Sequence, residues 1–203
     1  MIRNIIFDIG QVLVDFRWRG YMLDLGIPEE TADLLGEKTI NSPIWGELDL
    51  GVRPEEDVIA DMIRIVPDHE EEFRRFMDNP VDVVRPFPKT RERMLKLKEA
   101  GYNIYLLSNY PKSMFELHAE RSFNFMDIID GKIVSSFERL VKPQPEIYEL
   151  LLSRYNLKRE ECIFLDDRMI NVEAARALGI SAIHVKTQDA AMEELGELLH
   201  ILS

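Results

Sequence analysis

The chain of 203 residues carries 37 acidic and 25 basic side chains, a formal net charge of −12, so we expect neither a nucleic acid nor an anionic membrane as a partner. The length suits one domain with an insertion or two small domains, and the hydrophobic content of 46% is ordinary for a globular protein with a core. The single cysteine, Cys162, excludes an intramolecular disulfide, and the N-terminal apolar run is too short for a signal peptide, so the expected location is cytoplasmic.

Strands alternate with helices in the first and last parts of the chain, and a helix-rich block lies between them. The apolar run NIIF at 4–7 has the length and composition of a buried parallel strand. Helical spacing of apolar residues then predicts helices over 18–25, 29–36, 54–65 and 70–77. The elements predicted after residue 83 are a helix over 89–100, a strand over 102–107, a helix over 113–121, a short strand at 133–135, a helix over 145–155, a strand over 162–165, a helix over 171–178, a strand over 182–185 and a helix over 190–199.

This alternation predicts an α/β fold, a doubly wound parallel sheet with a small inserted helical block. Residues 1–15 and 84–203 would form the α/β core domain, and residues 16–83 the helical domain, which the family resemblance described below identifies as a cap domain. In such a sheet the active site lies at the carboxyl ends of the strands. Several predicted strands end in polar residues at that edge, namely Asp8, Ser108, Asn109, Asp166 and Asp167.

Two adjacent carboxylates, Asp166 and Asp167, directly follow a predicted buried strand. They are costly there unless a cation compensates them, and Mg²⁺ is the natural partner because it prefers oxygen ligands. A helix N-cap with a solvated neighbour is the alternative for this pair. Asp8, at the end of a neighbouring strand, adds a third carboxylate and favours the metal site.

A phosphate group would find suitable partners at the same edge of the sheet. Ser108 offers a hydroxyl, and the turn at Asn109 offers backbone N–H groups, which bind phosphate oxygens. Lys142, followed by Pro143, could neutralise both a phosphate and the carboxylates. Taken singly, a Ser-Asn turn and a surface lysine are common without any ligand, so this prediction depends on their combination with the carboxylates.

Four segments, in this order, resemble the haloacid dehalogenase (HAD) superfamily of phosphohydrolases. The matching segments are FDIGQVLVD from Phe7, LLSN from Leu106, VKPQPEIY from Val141 and FLDDRMINVEAARALGI from Phe164. They fall in the two predicted core segments, for which the resemblance implies a Rossmann-like core. The helical block after the first segment matches the small helical cap of subfamily IA only by position and helicity.

The resemblance implies a role for each matched residue. Asp8 would be the nucleophile that forms an aspartyl-phosphate, and its other oxygen would bind Mg²⁺ together with the Gly10 backbone carbonyl. Asp167 would be a further metal ligand, and Asp166 would assist directly or through water. The residues that would bind the phosphoryl group or offset its charge are Ser108, the Asn109 backbone and Lys142.

One position departs from the family pattern. Family phosphatases usually carry a second aspartate two residues after the nucleophile, which protonates the leaving oxygen and later activates water, and here that residue is Gly10. Glycine keeps the carbonyl but loses acid–base catalysis, which typically contributes about 10²–10⁴-fold. The Asp-x-Gly branch that the chain resembles includes sugar-1-phosphate phosphatases and domains near epoxide hydrolases. The missing acid favours a small phosphorylated metabolite with a good leaving group, such as a hexose 1-phosphate or an acyl phosphate, as substrate. It also predicts that the rate rises steeply with the acidity of the leaving group.

The segment PIWGELDLG at 43–51 of the helical block could face the core. Trp45 and Glu47 are candidate substrate contacts, although a packing tryptophan beside solvated acids is the more ordinary arrangement. If the rate proved insensitive to the leaving group, Glu47 or Asp49 would be the candidate replacement for the missing acid.

Two other functions stay open at this point. A haloacid dehalogenase expels halide without a proton, so Gly10 is no handicap, but it needs no metal and leaves Asp166 and Asp167 without a purpose. A weakly active or non-catalytic protein that binds a phosphorylated ligand or a partner would explain Gly10, but not the intact Asp8 and Lys142. The sequence indicates neither the physiological substrate nor the oligomeric state.

Overall fold

The computed structural model describes residues 1–200, which contain seven β-strands in two sheets. The strands are β1 (Asn4–Phe7), β2 (Val14–Phe16), β3 (Val84–Pro86), β4 (Asn103–Ser108), β5 (Gly131–Val134), β6 (Cys162–Asp166) and β7 (Ser181–His184). Five of them form a parallel sheet in the order β5-β4-β1-β6-β7. The central strand β1 therefore lies between β4 and β6, and all three end at the same edge.

The parallel sheet is buried on both faces, and the middle residues of its strands are mostly apolar. In β1, Ile5 and Phe7 contribute to one hydrophobic cluster, whereas Ile6 contributes to a second. In β4, Leu106 and Leu107 are divided between the two clusters in the same way. Successive side chains point to opposite faces of a strand, so helices cover both sides of the sheet. The predicted doubly wound α/β fold is confirmed.

Five α-helices lie between β2 and β3: α1 (Trp18–Asp24), α2 (Glu29–Leu35), α3 (Trp45–Leu50), α4 (Glu55–Ile65) and α5 (Glu70–Asp78). A π-helical turn (Gly36–Ile40) follows α2, and 3₁₀ turns (Pro67–His69 and Pro80–Val83) flank α5. We call residues 17–83 the cap segment. The helices of the core are α6 (Thr90–Glu99), α7 (Lys112–Arg121), α8 (Ser135–Glu138), α9 (Pro145–Arg154), α10 (Met169–Ala177) and α11 (Gln188–Leu199).

The chain enters and leaves the cap segment through the antiparallel pair of β2 and β3, in which Val14 lies opposite Pro86 and Phe16 lies opposite Val84. The predicted boundaries between core and cap fall at this pair of strands. The division into two domains stays a prediction. The predicted end of the core domain, residue 203, lies outside the described residues. The sequence pattern missed this pair and α3, because three-residue strands and a six-residue helix are too short to show a period. Within residues 1–200, no helix combines the length and the apolar character that crossing a bilayer requires.

Candidate active site

A cleft of about 360 Å³ opens at the carboxyl end of the parallel sheet, between the sheet and the cap segment. The core contributes Asp8 after β1, Ser108 at the end of β4, Lys142 before α9 and Asp167 after β6. Parallel strands that end at one edge gather side chains that are far apart in sequence. The structure thus brings the predicted nucleophile, hydroxyl, lysine and metal ligand to one place.

Asp8 lies at the bottom of the cleft with only 8% of its surface exposed. Its Oδ1 accepts hydrogen bonds from the Ile9 N–H (2.7 Å) and the Ser108 hydroxyl (2.6 Å), and it lies 2.9 Å from Lys142 Nζ. Burial raises the pKa of Asp8 to about 6; Lys142 opposes this shift and the charge of Asp166 adds to it. The three donors orient the carboxylate and leave Oδ2 as the oxygen available to a substrate or an ion.

Lys142 is a buried lysine, 3% exposed, whose ammonium group lies between two carboxylates. Its Nζ is 2.9 Å from Asp8 Oδ1 and 2.7 Å from Asp166 Oδ2. Burial by itself lowers the pKa of Lys142, but the two carboxylates outweigh burial and the net pKa is raised, so the lysine is charged at neutral pH. Asn109 fixes its backbone: Asn109 Nδ2 donates to the Lys142 carbonyl (2.9 Å), and the Lys142 N–H donates to Asn109 Oδ1 (2.8 Å). The Asn109 side chain therefore positions the lysine.

The two adjacent aspartates at the end of β6 have different surroundings. Asp166 is fully buried, and both of its oxygens accept from Asn171 Nδ2, at 3.0 and 3.1 Å. Oδ1 also accepts from the Arg168 N–H (2.8 Å), and Oδ2 accepts from Lys142. Asp167 is half-buried and lines the cleft, where burial and then the charge of Asp166 raise its pKa. Protein donors satisfy Asp166, whereas Asp167 is available to the cleft.

The carboxylates fit a divalent cation. One oxygen from each of Asp8, Asp166 and Asp167 lies within 4.8 Å of the other two. Asn171 lines the same cleft, and its Oδ1 is a buried acceptor with no hydrogen-bond partner among the described residues. One lysine does not balance the charge of three carboxylates, and the Asn171 acceptor has no donor. A hard cation such as Mg²⁺ would supply the missing positive charge, and its water ligands would supply the missing donor. Because both oxygens of Asp166 are already hydrogen-bonded, its contact with an ion would run through water.

The cap segment supplies the opposite wall of the cleft, and this wall is mostly apolar. Its apolar lining side chains are Trp18, Ile40 and Trp45, and Phe16 and Met114 line the cleft beside them. Trp45, a predicted substrate contact, is 9% exposed and packs beside Phe16 with ring centroids 6.3 Å apart. Glu47, the other predicted contact, does not line the cleft, because its carboxylate pairs with Arg53 (2.7 Å) at the protein surface. The structure places Trp45 at the cleft and Glu47 outside it.

Asp49 is the carboxylate that the cap segment contributes to the cleft, among the residues that the structure describes. It is half-buried, and since it lies two positions after Glu47 it occupies a different face of α3. Burial, followed by repulsion from Asp8, raises the pKa of Asp49 to about 7, against the opposing effects of Lys142 and Arg168. Asp49 can therefore carry a proton near neutral pH.

The sequence model of the haloacid dehalogenase-like hydrolase family matches residues 2–179. The chain belongs to the HAD-like hydrolases. This HAD-like hydrolase is 27% identical over 194 residues to the sesquiterpene phosphatase astK of Aspergillus oryzae, across 96% of the chain and 95% of that protein. The HAD family enzyme BT-2542 of Bacteroides thetaiotaomicron, in complex with magnesium and inorganic phosphate, matches with a TM-score of 0.73 and 21% identity, covering 92% of this chain and 96% of that one. The L-2-haloacid dehalogenase of Xanthobacter autotrophicus with chloropropionic acid covalently bound matches with a TM-score of 0.68 and 18% identity, and the match covers 98% of this chain and 83% of that one.

The family prediction made from four sequence segments is confirmed, whereas the assignment to subfamily IA stays a prediction. Sequence reasoning gave Asn171 no role, although it stands five positions after Asp166 on the first turn of α10, from which it can reach back to that carboxylate. It also treated Asp49 mainly as a solvated acid. A six-residue helix has no period that would assign its inner face, so nothing in the sequence distinguished Asp49 from Glu47.

Proposed function

We propose that this HAD-like hydrolase is a magnesium-dependent phosphoric monoester hydrolase with Asp8 as its nucleophile. The observation that carries the proposal is the buried Asp8 carboxylate, in which three donors hold Oδ1 and leave the second oxygen at the bottom of a cleft. The relatives support this reaction class, since one is named a sesquiterpene phosphatase and BT-2542 is in complex with inorganic phosphate.

The proposed reaction has two steps. The available Asp8 oxygen attacks phosphorus, the ester oxygen leaves, and an aspartyl-phosphate forms; water then releases inorganic phosphate and restores the carboxylate. Lys142 stays charged beside Asp8 and balances negative charge in both steps. Ser108 donates its O–H to Asp8 and so orients the nucleophile, while the backbone at Asn109 is the proposed donor to the phosphoryl oxygens.

The proposed ligands of Mg²⁺ are Asp8, the backbone carbonyl of Gly10 and Asp167, with Asp166 acting through water. A bound ion supplies positive charge against the phosphoryl oxygens. The clustered carboxylates support this assignment, as does the magnesium in the BT-2542 complex.

The proposed substrate is a small phosphorylated metabolite whose leaving group presents an apolar face to the cap segment. The cleft of about 360 Å³ admits a small molecule. Its aromatic and aliphatic wall can pack against the face of a hexose ring or against a terpenoid skeleton, as the name of the astK relative suggests. The predicted hexose 1-phosphate stays a prediction, to be compared with terpenoid and acyl phosphates in one substrate panel.

The test is hydrolysis of an aryl phosphate by the wild type and by Asp8→Asn, with and without Mg²⁺. We expect magnesium-dependent turnover by the wild type and a loss of at least about a thousandfold in Asp8→Asn, with an unchanged circular dichroism spectrum. Asp15→Asn is the control, because Asp15 is close in sequence and lies on β2 outside the cleft lining.

Three results would contradict the proposal. Wild-type activity in Asp8→Asn would exclude Asp8 as the nucleophile. Full activity in excess chelator, with release of halide from a haloacid, would favour the dehalogenase reaction. Failure of the wild type to hydrolyse any aryl phosphate with Mg²⁺ present would favour a protein that binds a phosphorylated ligand without turnover.

A further inference from the structure

The proposed reaction needs a proton for the departing ester oxygen, and residue 10 does not supply one. Gly10 lines the cleft with Asp8 but has no side chain. An alkoxide is a poor leaving group, and a positioned acid typically contributes about 10²–10⁴-fold to such a step. A donor for unactivated esters must come from another residue at the cleft.

Other side chains at the cleft that carry protons are committed elsewhere. The Tyr110 hydroxyl lies 2.7 Å from His118 Nδ1, and His118 Nε2 lies 2.7 Å from a backbone carbonyl, to which it must donate. Nδ1 is therefore the acceptor of the Tyr110 proton, and burial raises the pKa of Tyr110 well above its usual value. Lys142 is held between two carboxylates, and an arginine keeps its proton in proteins. Asp167 lines the cleft too, but it is a proposed ligand of the metal ion. The carboxyl group of Asp49 is left.

Asp49 faces the nucleophile from the opposite wall. It lines the same cleft as Asp8, and the two charges are close enough to repel each other. Within residues 1–200, the Asp49 carboxylate has no hydrogen-bond or ion-pair partner; the Ser135 hydroxyl donates to the backbone carbonyl of Asp49, not to its side chain. A half-buried carboxyl group without a partner costs stability, and its position at the cleft matches that of a group that acts on the substrate.

We propose that Asp49 is the general acid that protonates the leaving oxygen and, in the second step, the general base that activates water. This rests on the proposed phosphatase function. In the first step an Asp8 oxygen bonds to phosphorus, the bond from phosphorus to the leaving oxygen breaks, and the Asp49 proton moves to that oxygen to give an alcohol. In the second step a water oxygen bonds to phosphorus, Asp8 leaves as a carboxylate, and one water proton moves to Asp49, which restores the starting state.

Contacts with the core hold Asp49 over the sheet. Ser135 Oγ donates to the Asp49 carbonyl (2.5 Å) and accepts from the Tyr110 N–H (2.9 Å), so one hydroxyl joins α3 to the loop after β4. Gly51, at φ +64°, ends α3 against the backbone of Ser136, where any Cβ would collide. The end of α3 is thus fixed on the core, and this fixes the backbone position that carries the Asp49 side chain at the cleft.

The charges around Asp49 favour the protonated form that an acid needs. Burial, followed by the Asp8 carboxylate that follows β1, raises the pKa of Asp49 to about 7, whereas Lys142 and Arg168 oppose the shift. Tyr110 faces the same cleft and is neutral. An acid–base catalyst works best when its pKa is near the operating pH, so this shift agrees with the role that the geometry indicates.

The test compares Asp49→Asn with Glu47→Gln on phosphate esters graded by the acidity of the leaving alcohol. Glu47 is a matched control because it lies on the same helix but pairs with Arg53 outside the cleft. We expect Asp49→Asn to lower kcat/KM by about 10²–10⁴-fold for alkyl phosphates and by less than about tenfold for an activated aryl phosphate. With Asp49 as the acid, we expect the wild type to show a shallow leaving-group dependence, in place of the steep one expected from Gly10 alone. Glu47→Gln should keep that shallow dependence.

A second variant supplies the acid from the position that family phosphatases use. Gly10 is not in the left-handed region, and a Cβ built there meets no atom within 4 Å, so Gly10→Asp fits without strain. In the Asp49→Asn background, we expect Gly10→Asp to raise alkyl phosphate turnover by at least about tenfold. No gain would overturn the view that proton donation is what Asp49→Asn removes.

The outcomes separate this inference from the proposed function. An unchanged leaving-group dependence in Asp49→Asn overturns the role of Asp49, while aryl phosphate turnover that depends on Asp8 keeps the phosphatase function. An equal loss for every ester, including the aryl ester, assigns Asp49 a structural role and also overturns the inference. A wild type without aryl phosphate turnover overturns both.

Discussion

The substitution Lys142→Met tests the charge balance at the bottom of the cleft. It removes an ammonium group that lies 2.9 Å from Asp8 and 2.7 Å from Asp166, and it leaves two buried carboxylates without their counter-charge. Coulomb's law with an effective dielectric constant of about 20 gives roughly 6 kcal/mol for each contact. The substitution also ends the desolvation cost of the lysine and allows the carboxylates to bind protons, so the expected net loss in the free energy of unfolding is about 3–5 kcal/mol at about pH 8.

The loss from Lys142→Met should grow with pH. Burial already raises the pKa of Asp8 to about 6 in the presence of Lys142, and without the lysine this pKa rises further. The folded variant then binds more protons than its unfolded chain, so its stability falls as the pH increases. We expect the difference from the wild type to be smaller at about pH 5 than at about pH 8.

Urea unfolding in excess chelator, followed by circular dichroism at both pH values, measures this difference. Chelator prevents a divalent cation from replacing the lost charge, and added Mg²⁺ should restore part of the stability. Lys96→Met is the matched control, since Lys96 pairs with Glu92 at 2.9 Å through side chains that are 66% and 63% exposed. Such surface pairs contribute about 0–1 kcal/mol. A loss below about 1 kcal/mol for Lys142→Met at about pH 8 would refute the reasoning that this lysine balances two buried charges.

Three further expectations concern the metal, the cap carboxylate and the end of α3. Excess chelator should abolish turnover, and Asp167→Asn should raise the Mg²⁺ concentration for half-maximal rate by at least about tenfold; an unchanged requirement contradicts the ligand assignment. The raised pKa of Asp49, about 7, makes the wild type lose stability as the pH rises to that value. Asp49→Asn should therefore stabilise the fold at about pH 8 but not at about pH 4 in urea unfolding, and a constant difference contradicts this. Gly51→Ala should cost more stability and more alkyl phosphate turnover than Gly26→Ala. Both glycines have a positive φ (+64° and +77°), but only Gly51 abuts Ser136. Equal losses from the two substitutions would contradict this expectation.

The parallel sheet is predictable from the sequence because its strands are short apolar runs that stop abruptly at polar residues. The run NIIF before Asp8 and the run CIFL before Asp166 show this most clearly, and both are interior strands of the sheet. The cap segment is harder to predict. Its π-helical turn after α2 and its short helix α3 depend on tertiary contacts, which a local pattern does not contain.

The same distinction applies to the candidate site. Residues that follow strands, such as Asp8, Ser108 and Asp167, are predictable because the topology of a parallel sheet determines where strand ends meet. Asp49 and Glu47 stand two positions apart on one short helix, and the sequence treats them alike. The hydrogen bond from Ser135 to the Asp49 carbonyl and the ion pair of Glu47 with Arg53 decide which of the two faces the cleft.

The division of the site between two walls also explains how one carboxyl group can serve in both steps. A phosphate ester bound at Asp8 places more negative charge near Asp49, and a nearby like charge raises the pKa of a carboxyl group. Asp49 therefore stays protonated until the leaving oxygen develops charge and takes the proton. Once that proton is lost, the same repulsion makes the Asp49 carboxylate a stronger base toward the water that attacks the intermediate. Burial and the repulsion from Asp8 thus keep Asp49 protonated for the first step and make its carboxylate a stronger base in the second.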